Sequence, residues 1–596
     1  MSTATPPIHY AISVQDIHAH LFQVTLTLPR PAADQLFSLP VWIPGSYLVR
    51  EFSKHLQHLQ AQQGKRSVAL TQLDKCTWQV HCQADKPVVL SYEVYALDAS
   101  VRTAWLDSQR GFFNGTSLCL RVHGQEQSPH QLTLNDAGLP EDWQAATALT
   151  AQKVTARGFG RYLAANYDEL VDSPVELGPF WQGEFVAAGI PHRFIVAGAP
   201  PSFDGARLLA DTQRICEAEI AFWHGSQPVQ APHRHYLFML SAMHDGYGGL
   251  EHSHSTALIC RRADLPQTGQ AAGSPPSDGT TTLLGLISHE YFHTWNVKRL
   301  RPAEFTRYNY AQENYTELLW FFEGFTSYFD DLLLRRAGLI DSAHYLKLLS
   351  KTIHQVQQTP GRLVQSLAQA SRDAWVKYYR PDENTANATV SYYSKGSLVA
   401  LCLDLSLRQG GQTSLDAVMR TLWQRCQGGP MTEQDLLEVL AELSGVSFAA
   451  QLQDWVHGTA ELPLKKLLQQ HGISYEEKSA SRTEQLGLKL NEHNGLQVKS
   501  VLRGSAAEQA GFAAGDEWLG IELGKSKARQ AWRIHKQDDL ALYLGQAKTF
   551  AALVARDQRL MRLPVSLPKP VMQVKLSIQN VALAETWLAP ENNQKQ

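Results

Sequence analysis

The first third of the chain alternates apolar and polar residues in short runs, a period of two that is typical of half-buried β-strands. Such runs occupy residues 8–14, 21–28 and 88–96, and turn-forming residues lie between them. The run at residues 194–199 is the last of this kind. The pattern predicts an N-terminal β domain over residues 1–200, built as a β-sandwich or a saddle-shaped sheet.

Helical periodicity begins near residue 206 and dominates as far as about residue 475. In residues 206–223 and 346–357, apolar residues recur at intervals of three and four, as on one face of an α-helix. After residue 475 the chain returns to short strands and turns. We therefore expect a multidomain α+β protein with a helical domain over residues 346–475, a strand-rich domain over 476–572 and a C-terminal tail over 573–596.

One predicted helix, at residues 282–295, carries a recognisable chemical pattern. His289 and His293 are four positions apart, so both lie on one helix face, and Leu286 continues that face towards the interior. Glu290 follows the first histidine, which completes His-Glu-x-x-His. In this motif two imidazoles hold zinc and the glutamate serves as the base that activates water.

Two histidines leave a catalytic zinc site incomplete, because such a site needs a third protein ligand and an open position for water. The candidates are Glu313, Glu317 and Glu323. Asn314 and Glu317 predict a capping box at the start of the next helix, which leaves Glu313 outside that helix and occupies Glu317. Glu323 lies inside the helix among aromatic residues, where a carboxylate is costly unless it is paired or metal-bound. The residues therefore predict one zinc ion per chain, with Glu323 as its third ligand.

Composition narrows the expected partners and compartment. The 596 residues carry a formal net charge of −3, so no general attraction to nucleic acid or anionic membranes is expected. The seven cysteines are odd in number and include no Cys-x-x-Cys motif, which favours a reducing compartment. We recognise no signal peptide and no apolar run long enough to span a bilayer. These features predict a cytoplasmic protein that binds neither nucleic acid nor membrane.

Two further histidine pairs are less informative. His233 and His235 share one strand face, as do His252 and His254. No carboxylate or cysteine pattern accompanies them, so the sequence argues against a second metal site.

These motifs together resemble a known family. The motif at residues 289–293, followed by Glu323-Gly-Phe-Thr, is similar to the gluzincins of the aminopeptidase N kind. In those enzymes the interval between the second histidine and the glutamate is usually shorter than the 29 residues found here, and Glu313 is nearest to the usual position. The long interval, with residues 295–302 and 313–320, resembles the PDZ-bearing glycyl aminopeptidase family.

Residues 40–52 also resemble the N-terminal domain of that family, so the resemblance covers nearly the whole chain. It implies a thermolysin-like zinc catalytic domain over residues 201–345. It also implies that the helical domain over residues 346–475 completes the active site.

The resemblance implies roles for residues outside the zinc motif. Tyr393 matches a tyrosine that donates a hydrogen bond to the oxyanion, and Tyr392 is the nearest competitor, one position out of register. The strand at residues 248–252 is similar to one whose glutamate binds the substrate α-amine, which assigns that role to Glu251. The backbone of Gly248 and Gly249 would pair with substrate. His252 replaces the family's asparagine, which leaves details of recognition open.

The strand-rich C-terminal domain resembles a PDZ domain. Leu486, Gly487 and Leu488 would form the loop whose backbone N–H groups bind a peptide carboxylate. Residues 504–516 match a PDZ core pattern, and a helix at 538–546 would flank the groove. A packing domain that binds no peptide is the alternative.

The function implied is that of a zinc-dependent aminopeptidase. It would use a zinc-activated water to hydrolyse N-terminal residues, in particular glycine and alanine, from peptides with a free N-terminus. Two alternatives stay open: a zinc endopeptidase that selects C-termini through the PDZ groove, and a non-catalytic peptide-binding scaffold.

Overall fold

The computed structural model describes residues 6–225, 231–269, 273–411, 413–479, 482–568 and 572–590. Buried apolar side chains form three clusters within these residues. One lies in the N-terminal region, one is shared by a central mixed region and a helical region, and one lies in the C-terminal region. Because the second cluster is continuous, the central and helical regions form a single packed body.

The N-terminal region is built almost entirely from β-strands, as predicted. An eight-stranded sheet has the order β14-β15-β12-β1-β2-β8-β4-β5, and two four-stranded sheets have the orders β13-β16-β10-β9 and β11-β3-β7-β6. Strand β2 buries every second residue, in agreement with its apolar–polar alternation. The elements are β1 (Ile8–Asp16), β2 (Leu21–Leu28), β3 (Gln35–Ser38), β4 (Leu56–Gln63), β5 (Arg66–Ser67), β6 (Leu70–Gln72), β7 (Thr77–Val80), β8 (Val88–Tyr95), β9 (Ala104–Leu106), β10 (Gly111–Phe113), α1 (Gly115–Leu118), β11 (Arg121–Val122), β12 (His130–Leu134), β13 (Gln144–Thr147), β14 (Thr150–Val154), β15 (Gly160–Ala164), α2 (Tyr167–Val171) and β16 (Val175–Gly178).

The boundary predicted at residue 200 lies earlier in the structure, after Gly178. The next two strands pair with each other and then join a different, five-stranded sheet of order β17-β18-β19-β21-β20. The sequence placed the run at residues 194–199 in the first domain because strand propensity does not reveal which sheet a strand joins. The elements are β17 (Phe180–Ala187), β18 (Ile190–Ala197), α3 (Gly205–His224), β19 (Tyr236–Met243), β20 (Gly248–Glu251) and β21 (Ser255–Arg261).

Two buried helices pack beside this sheet. Helix α4 (Asp278–Phe292) carries the histidine motif, and its N-terminus is capped by Ser277, whose hydroxyl accepts a hydrogen bond from the Thr280 N–H over 3.0 Å. After β22 (Arg301–Pro302) comes helix α5 (Leu319–Arg336), which carries Glu323. Strand β20 is the edge strand of the five-stranded sheet, and it packs against α4.

The predicted start of helix α5 is wrong. Asn314 forms no cap, because its carboxamide holds the preceding loop through hydrogen bonds to the backbone of Asn309 and Gln312. The helix begins at Leu319, and the Trp320 N–H donates to the Ser371 hydroxyl over 3.0 Å. A partner distant in sequence thus satisfies a backbone group at this helix end, and local sequence gives no sign of it.

The helical region continues the same body. Helix α9 follows Tyr393 and packs along α5. The elements are α6 (Ser342–Gln357), α7 (Leu367–Arg372), α8 (Thr385–Ala388), α9 (Ser394–Gln409), α10 (Leu415–Arg425), β23 (Pro430–Met431), α11 (Glu433–Ser444), α12 (Ala449–Leu452) and α13 (Leu464–Gln470).

The C-terminal region holds a six-stranded sheet of order β25-β26-β27-β29-β30, with β28 paired to β27. A separate pair, β24 with β31, connects it to the helical body. The elements are β24 (Ile473–Ser479), α14 (Arg482–Leu486), β25 (Leu488–Asn491), β26 (Leu496–Val501), α15 (Ala506–Ala510), β27 (Glu517–Leu523), β28 (Gln530–Arg533), α16 (Asp538–Leu544), β29 (Thr549–Arg556), β30 (Arg559–Ser566), β31 (Met572–Ile578) and α17 (Val581–Leu588).

The segment 573–596, predicted as a tail, is structured as far as residue 590. Trp587 of α17 is fully buried, and its indole N–H donates to the Tyr328 hydroxyl on α5 over 2.8 Å. Arg335 binds the Glu585 carboxylate over 2.5 Å. The last helix therefore completes the central core, whereas residues 591–596 lie outside the described residues. Within the described residues, no helix combines the length and apolarity needed to cross a bilayer.

Candidate metal centre and peptide cleft

Three predicted ligands meet where α4 faces α5. The Nε2 atoms of His289 and His293 are 3.1 Å apart, and Glu323 Oε2 lies 3.5 Å and 3.2 Å from them respectively. Two ligand atoms on a tetrahedral zinc ion with bonds of about 2.0–2.1 Å are about 3.3 Å apart. The three side chains thus fit zinc, and they are the only such group of histidine, cysteine and carboxylate side chains among the described residues.

Each histidine is held by a second hydrogen bond on its other ring nitrogen. His289 Nδ1 lies 3.0 Å from Asp330 Oδ2, and His293 Nδ1 lies 2.8 Å from the Asn296 carbonyl oxygen. An Nδ1–H that donates to an oxygen leaves Nε2 free to bind metal. Asp330 was missed in the sequence, although it lies on α5 two helical turns after Glu323 and so on the same helix face.

Electrostatics favour an ionised Glu323. Burial opposes ionisation, but His293 and His289 outweigh it and lower the pKa of Glu323 to about 2. Burial also acts against the charged form of His289, yet its bonds to Asp330 and Glu323 raise the pKa of this histidine well above its usual value. The buried carboxylates thus stabilise positive charge at this corner, and a metal cation held by neutral imidazoles would supply that charge in place of the histidine protons.

Glu290 faces the edge strand β20. Its side chain is buried, and a Cβ atom added to Gly249 would overlap its carboxylate. Burial is the largest influence on this group and raises its pKa to about 7, against the opposing effect of His289 and His293. Its Oε2 atom is buried without a hydrogen-bond partner among the described residues. This carboxylate is available to exchange a proton with a group that enters the cleft.

Glu251, at the end of β20, is enclosed by the N-terminal region. It is 5% exposed, and a Cβ atom on Gly45 would lie 2.5 Å from both carboxylate oxygens. Gly45 has a φ of +88°, which its turn allows only because it lacks a side chain. No local pattern in the sequence shows that this turn closes over Glu251.

His252 has a structural environment rather than a metal site. Its Nδ1 atom lies 3.1 Å from Asp172 Oδ1, and the Lys298 ammonium binds the same oxygen over 2.8 Å. The attraction of Lys298 and His252 outweighs burial and lowers the pKa of Asp172 far below its usual range. Of the remaining histidines named in the sequence, His235 and His254 stack on each other with ring centroids 5.8 Å apart.

Tyr393 lies beside the metal corner at the start of α9. Its ring stacks on that of His289, with centroids 6.1 Å apart. Burial raises the pKa of Tyr393 well above its usual value, so its hydroxyl stays a hydrogen-bond donor. A Cβ atom on Gly324 would lie 2.6 Å from Gly396 Cα, so α9 packs directly against the turn of α5 next to Glu323. Tyr392 is more deeply buried, and its hydroxyl has no partner among the described residues.

The predicted peptide-carboxylate loop lies far from this corner in the chain, at the start of β25. Leu486 and Leu488 are buried, and the Gly487 N–H donates to the Glu484 carbonyl over 3.0 Å. Strand β25 is an edge strand, which is the position that a PDZ ligand extends. Helix α14 packs against both α15 and α16 beside it.

Comparisons with known proteins agree with this geometry. A family model described as M61 glycyl aminopeptidase matches residues 282–399, and one described as the peptidase M61 N-terminal domain matches residues 9–179. The first range includes the three predicted zinc ligands, Glu290 and Tyr393. The second ends one residue beyond β16, where the sheet topology places the domain boundary.

The chain is also similar to solved structures. A crystal structure of an aminopeptidase N family protein from Idiomarina loihiensis is 36% identical, covers 98% of this chain and 100% of its own, and has a TM-score of 0.91. An M1 zinc metallopeptidase from Deinococcus radiodurans is 15% identical, covers 77% of this chain and 96% of its own, and has a TM-score of 0.48. A mutant of an M1 zinc metallopeptidase from the same organism, bound to a Tyr-Ser-Ala substrate, covers 77% and 95% with the same identity and TM-score. No curated protein sequence matches the chain.

Proposed function

The chain belongs to the M61 glycyl aminopeptidase family and is a zinc metallopeptidase, and from this premise we propose that it removes single small residues from the free N-termini of peptides. The observation that carries the proposal is the enclosed carboxylate of Glu251. It lies on the edge strand whose Gly249 packs against Glu290. A buried carboxylate near the base is suited to bind a free α-ammonium, because that cation needs a negatively charged partner once it loses its water.

We propose that His289, His293 and Glu323 hold one zinc ion per chain. Support comes from the spacing of their ligand atoms and from the outer partners Asp330 and Asn296. Zinc, when bound, polarises a carbonyl and lowers the pKa of water.

Glu290 acts as the general base in this proposal. It takes a proton from the attacking water and later gives it to the amine that leaves when the peptide bond breaks. Its raised pKa, about 7, suits both transfers, because the proton is neither held too weakly nor too tightly near neutral pH.

Tyr393 stabilises the negative charge that develops on the former carbonyl oxygen. Its hydroxyl remains protonated in the buried cleft, and its ring is positioned against His289. Tyr392 is the weaker candidate, since it is completely buried rather than open to the cleft.

Glu251 binds the substrate α-ammonium, and the backbone of Gly248 and Gly249 pairs with the peptide. Strand β20 supports this assignment because it lies at an edge of its sheet, the position at which an extended peptide can pair with backbone groups. The name of the family supports glycine, and by extension alanine, as the N-terminal residue that is removed.

Two further assignments complete the proposal. A cytoplasmic location is supported by the seven cysteines, all of which are free. Residues 476–572 act as a PDZ domain that binds peptide C-termini at Leu486, Gly487 and Leu488. The exposed edge of β25 supports this, while the hydrogen bond from the Gly487 N–H to Glu484 limits the donors that are free.

The test uses the purified full-length chain. We expect one zinc per chain by elemental analysis, and hydrolysis of glycyl and alanyl chromogens that a chelator stops and zinc restores. Cleavage confined to internal bonds of longer peptides would favour the endopeptidase alternative. A folded protein without stoichiometric zinc and without hydrolysis would favour the scaffold.

A further inference from the structure

The cleft contains an arginine whose role neither the metal centre nor the base explains. Arg102, from the loop before β9, reaches the strand that also carries Glu251, and its guanidinium donates to the Gly249 carbonyl over 2.9 Å. Its Nη1 atom would lie 3.6 Å from a Cβ atom on Gly248. Arg102 also acts electrostatically on Tyr378 and Tyr379, which come from the helical region. Arg102 therefore lies where the N-terminal, central and helical regions meet.

Arg102 has no anionic partner within the described residues. No carboxylate among the described residues lies within salt-bridge distance of the Arg102 guanidinium. The Nε atom of Arg102 is buried without an acceptor. Arg50 beside it also has a buried Nε atom without an acceptor, and its only described side-chain bond is to the Ser46 hydroxyl over 2.7 Å. Burial and then repulsion from Arg102 lower the pKa of Arg50 to about 10, with Tyr379 and Asp98 only partly opposing this.

Two neighbouring half-buried cations without a carboxylate at salt-bridge distance are costly, because each has lost water and gained a repulsive neighbour. An anion that enters between them relieves both costs. Guanidinium groups bind carboxylates in a fork-like geometry, and the unpartnered Nε atom is one of the donors that such a fork uses.

The position of Arg102 along β20 determines which carboxylate of a bound peptide it can contact. The strand runs from Gly248 and Gly249, which both lie beside Arg102, to Glu251, and Gly249 also lies beside Glu290. Two to three residues of an extended strand cover about 7–10 Å. A peptide whose α-ammonium lies at Glu251 and whose first peptide bond lies near Glu290 therefore reaches Arg102 about three residues from its N-terminus.

We propose that Arg102, assisted by Arg50, binds the C-terminal carboxylate of short peptide substrates, so that the cleft reads both ends of a tripeptide. This rests on the proposed aminopeptidase function and adds a substrate class to it. Glu251 sets one end of the cleft and the arginine pair sets the other. An aspartate side chain at the third position offers the same carboxylate chemistry, and the experiment separates the two sources.

The test compares three peptides, Ala-Ala-Ala, its C-terminal amide and Ala-Ala-Asp amide. The value of kcat/KM for release of the first alanine is measured for each. A charge-assisted hydrogen-bond pair contributes about 10- to 100-fold. We expect the free acid to exceed the alanine amide by that factor, and the aspartyl amide to remain close to the alanine amide.

Variants identify the residue responsible. Arg102→Gln keeps an N–H donor for the Gly249 carbonyl but removes the charge, so the ratio of acid to amide should fall towards one. Arg50→Gln should lower it by a smaller factor. The matched control is Lys54→Gln, an exposed cation that lines the same cavity of about 250 Å³ as Arg50, and it should leave the ratio unchanged.

Equal cleavage of the acid and the alanine amide by the wild-type chain would overturn the proposal, as would an unchanged ratio in folded Arg102→Gln. A rate increase confined to the aspartyl amide would assign the arginines to a side chain instead. These outcomes are distinct from failure of the aminopeptidase function, which would show as no release of alanine from any of the three peptides or from alanyl chromogens. If Arg102→Gln does not fold, the wild-type comparison and Arg50→Gln still decide.

Discussion

The two halves of the cleft are built in opposite ways. The metal half lies on two buried helices, α4 and α5, and each histidine ligand has a second partner that fixes its ring. The half that we propose binds the peptide, here called the reading half, lies on the edge strand β20 and is closed by Gly45 and Arg102 from the N-terminal region. In the metal half the predicted ligands His289, His293 and Glu323 are paired with one another, whereas Arg102 lacks an anionic partner among the described residues.

This difference has a physical reason. A metal site must hold its geometry whether or not substrate is present, so its ligands are fixed by packing and outer hydrogen bonds. A substrate-binding surface is more selective when only the correct substrate pairs with its charged side chains, because any other ligand leaves those charges unpaired. The comparison predicts that substitutions in the metal half remove the reaction, while those in the reading half change which peptides react.

The largest effect on the reaction is expected from Glu290→Gln. The amide has nearly the same shape but cannot accept the proton, so kcat should fall by about 10²- to 10⁴-fold while zinc stays bound. Steady-state rates together with elemental analysis measure both quantities. Glu217→Gln, an exposed change on α3, is the control. Near-normal activity in a zinc-loaded Glu290→Gln protein would remove Glu290 from the mechanism.

Glu323→Ala should lose zinc, and Glu313→Ala should keep it. Among the described residues, Glu323 alone places an oxygen within 3.5 Å of both histidine nitrogens. Glu313 precedes α5 by several residues and is absent from the cluster. Zinc titration of the two folded variants decides between them, and the reverse pattern would transfer the ligand role to Glu313.

Gly249→Ala tests the contact between strand β20 and the Glu290 side chain on α4. The new methyl group would overlap the Glu290 carboxylate and displace it, although the backbone of residue 249 needs no special conformation. A displacement of about 1 Å costs about 100-fold, so kcat/KM should fall by that order with zinc retained. Gly410→Ala is matched, since its added atom has only the Leu407 carbonyl oxygen nearby, at 3.4 Å. Equal activities of the two variants would contradict the contact.

A smaller effect on activity, but a clear one on stability, is expected from Trp587→Ala. The indole is fully buried against α5, so its loss should cost about 3–5 kcal/mol of unfolding free energy. Trp532→Ala in the C-terminal domain removes an indole that is 42% exposed and should cost about 1 kcal/mol or less. Thermal unfolding followed by tryptophan fluorescence compares them, and equal shifts would show that α17 does not support the metal half.

The sequence predicted the metal half almost completely because its chemistry is local. His289, Glu290 and His293 are neighbours on one helix turn, and a periodic pattern reveals such neighbours. The structure does bring Glu323 to the two histidines, but one of the two reasons given for choosing it was wrong, since Asn314 forms no cap. The choice rested more securely on the cost of a carboxylate among aromatic residues.

The reading half was predicted less well because its parts are distant in the chain. Arg102 belongs to the N-terminal region and Glu251 to the five-stranded sheet. No local sequence pattern indicates that the two residues lie near each other. The same holds for α17. The sequence predicted a tail there, because no local pattern shows that Trp587 packs against Tyr328. Long-range contacts of this kind depend on which sheets and helices pack together, a property that strand and helix propensities do not determine.

The most direct test of an N-terminal peptidase is a matched pair of peptides that differ only in N-acetylation. A free ammonium pairs with Glu251, whereas an acetylated terminus leaves that enclosed carboxylate unpaired. Mass spectrometry of the wild-type reaction should show free-amine peptides losing one residue at a time and acetylated peptides intact. Glu251→Ala should reduce kcat/KM for the free peptides and narrow this preference. Internal cleavage of the acetylated peptides at a similar rate would contradict the account and favour an endopeptidase.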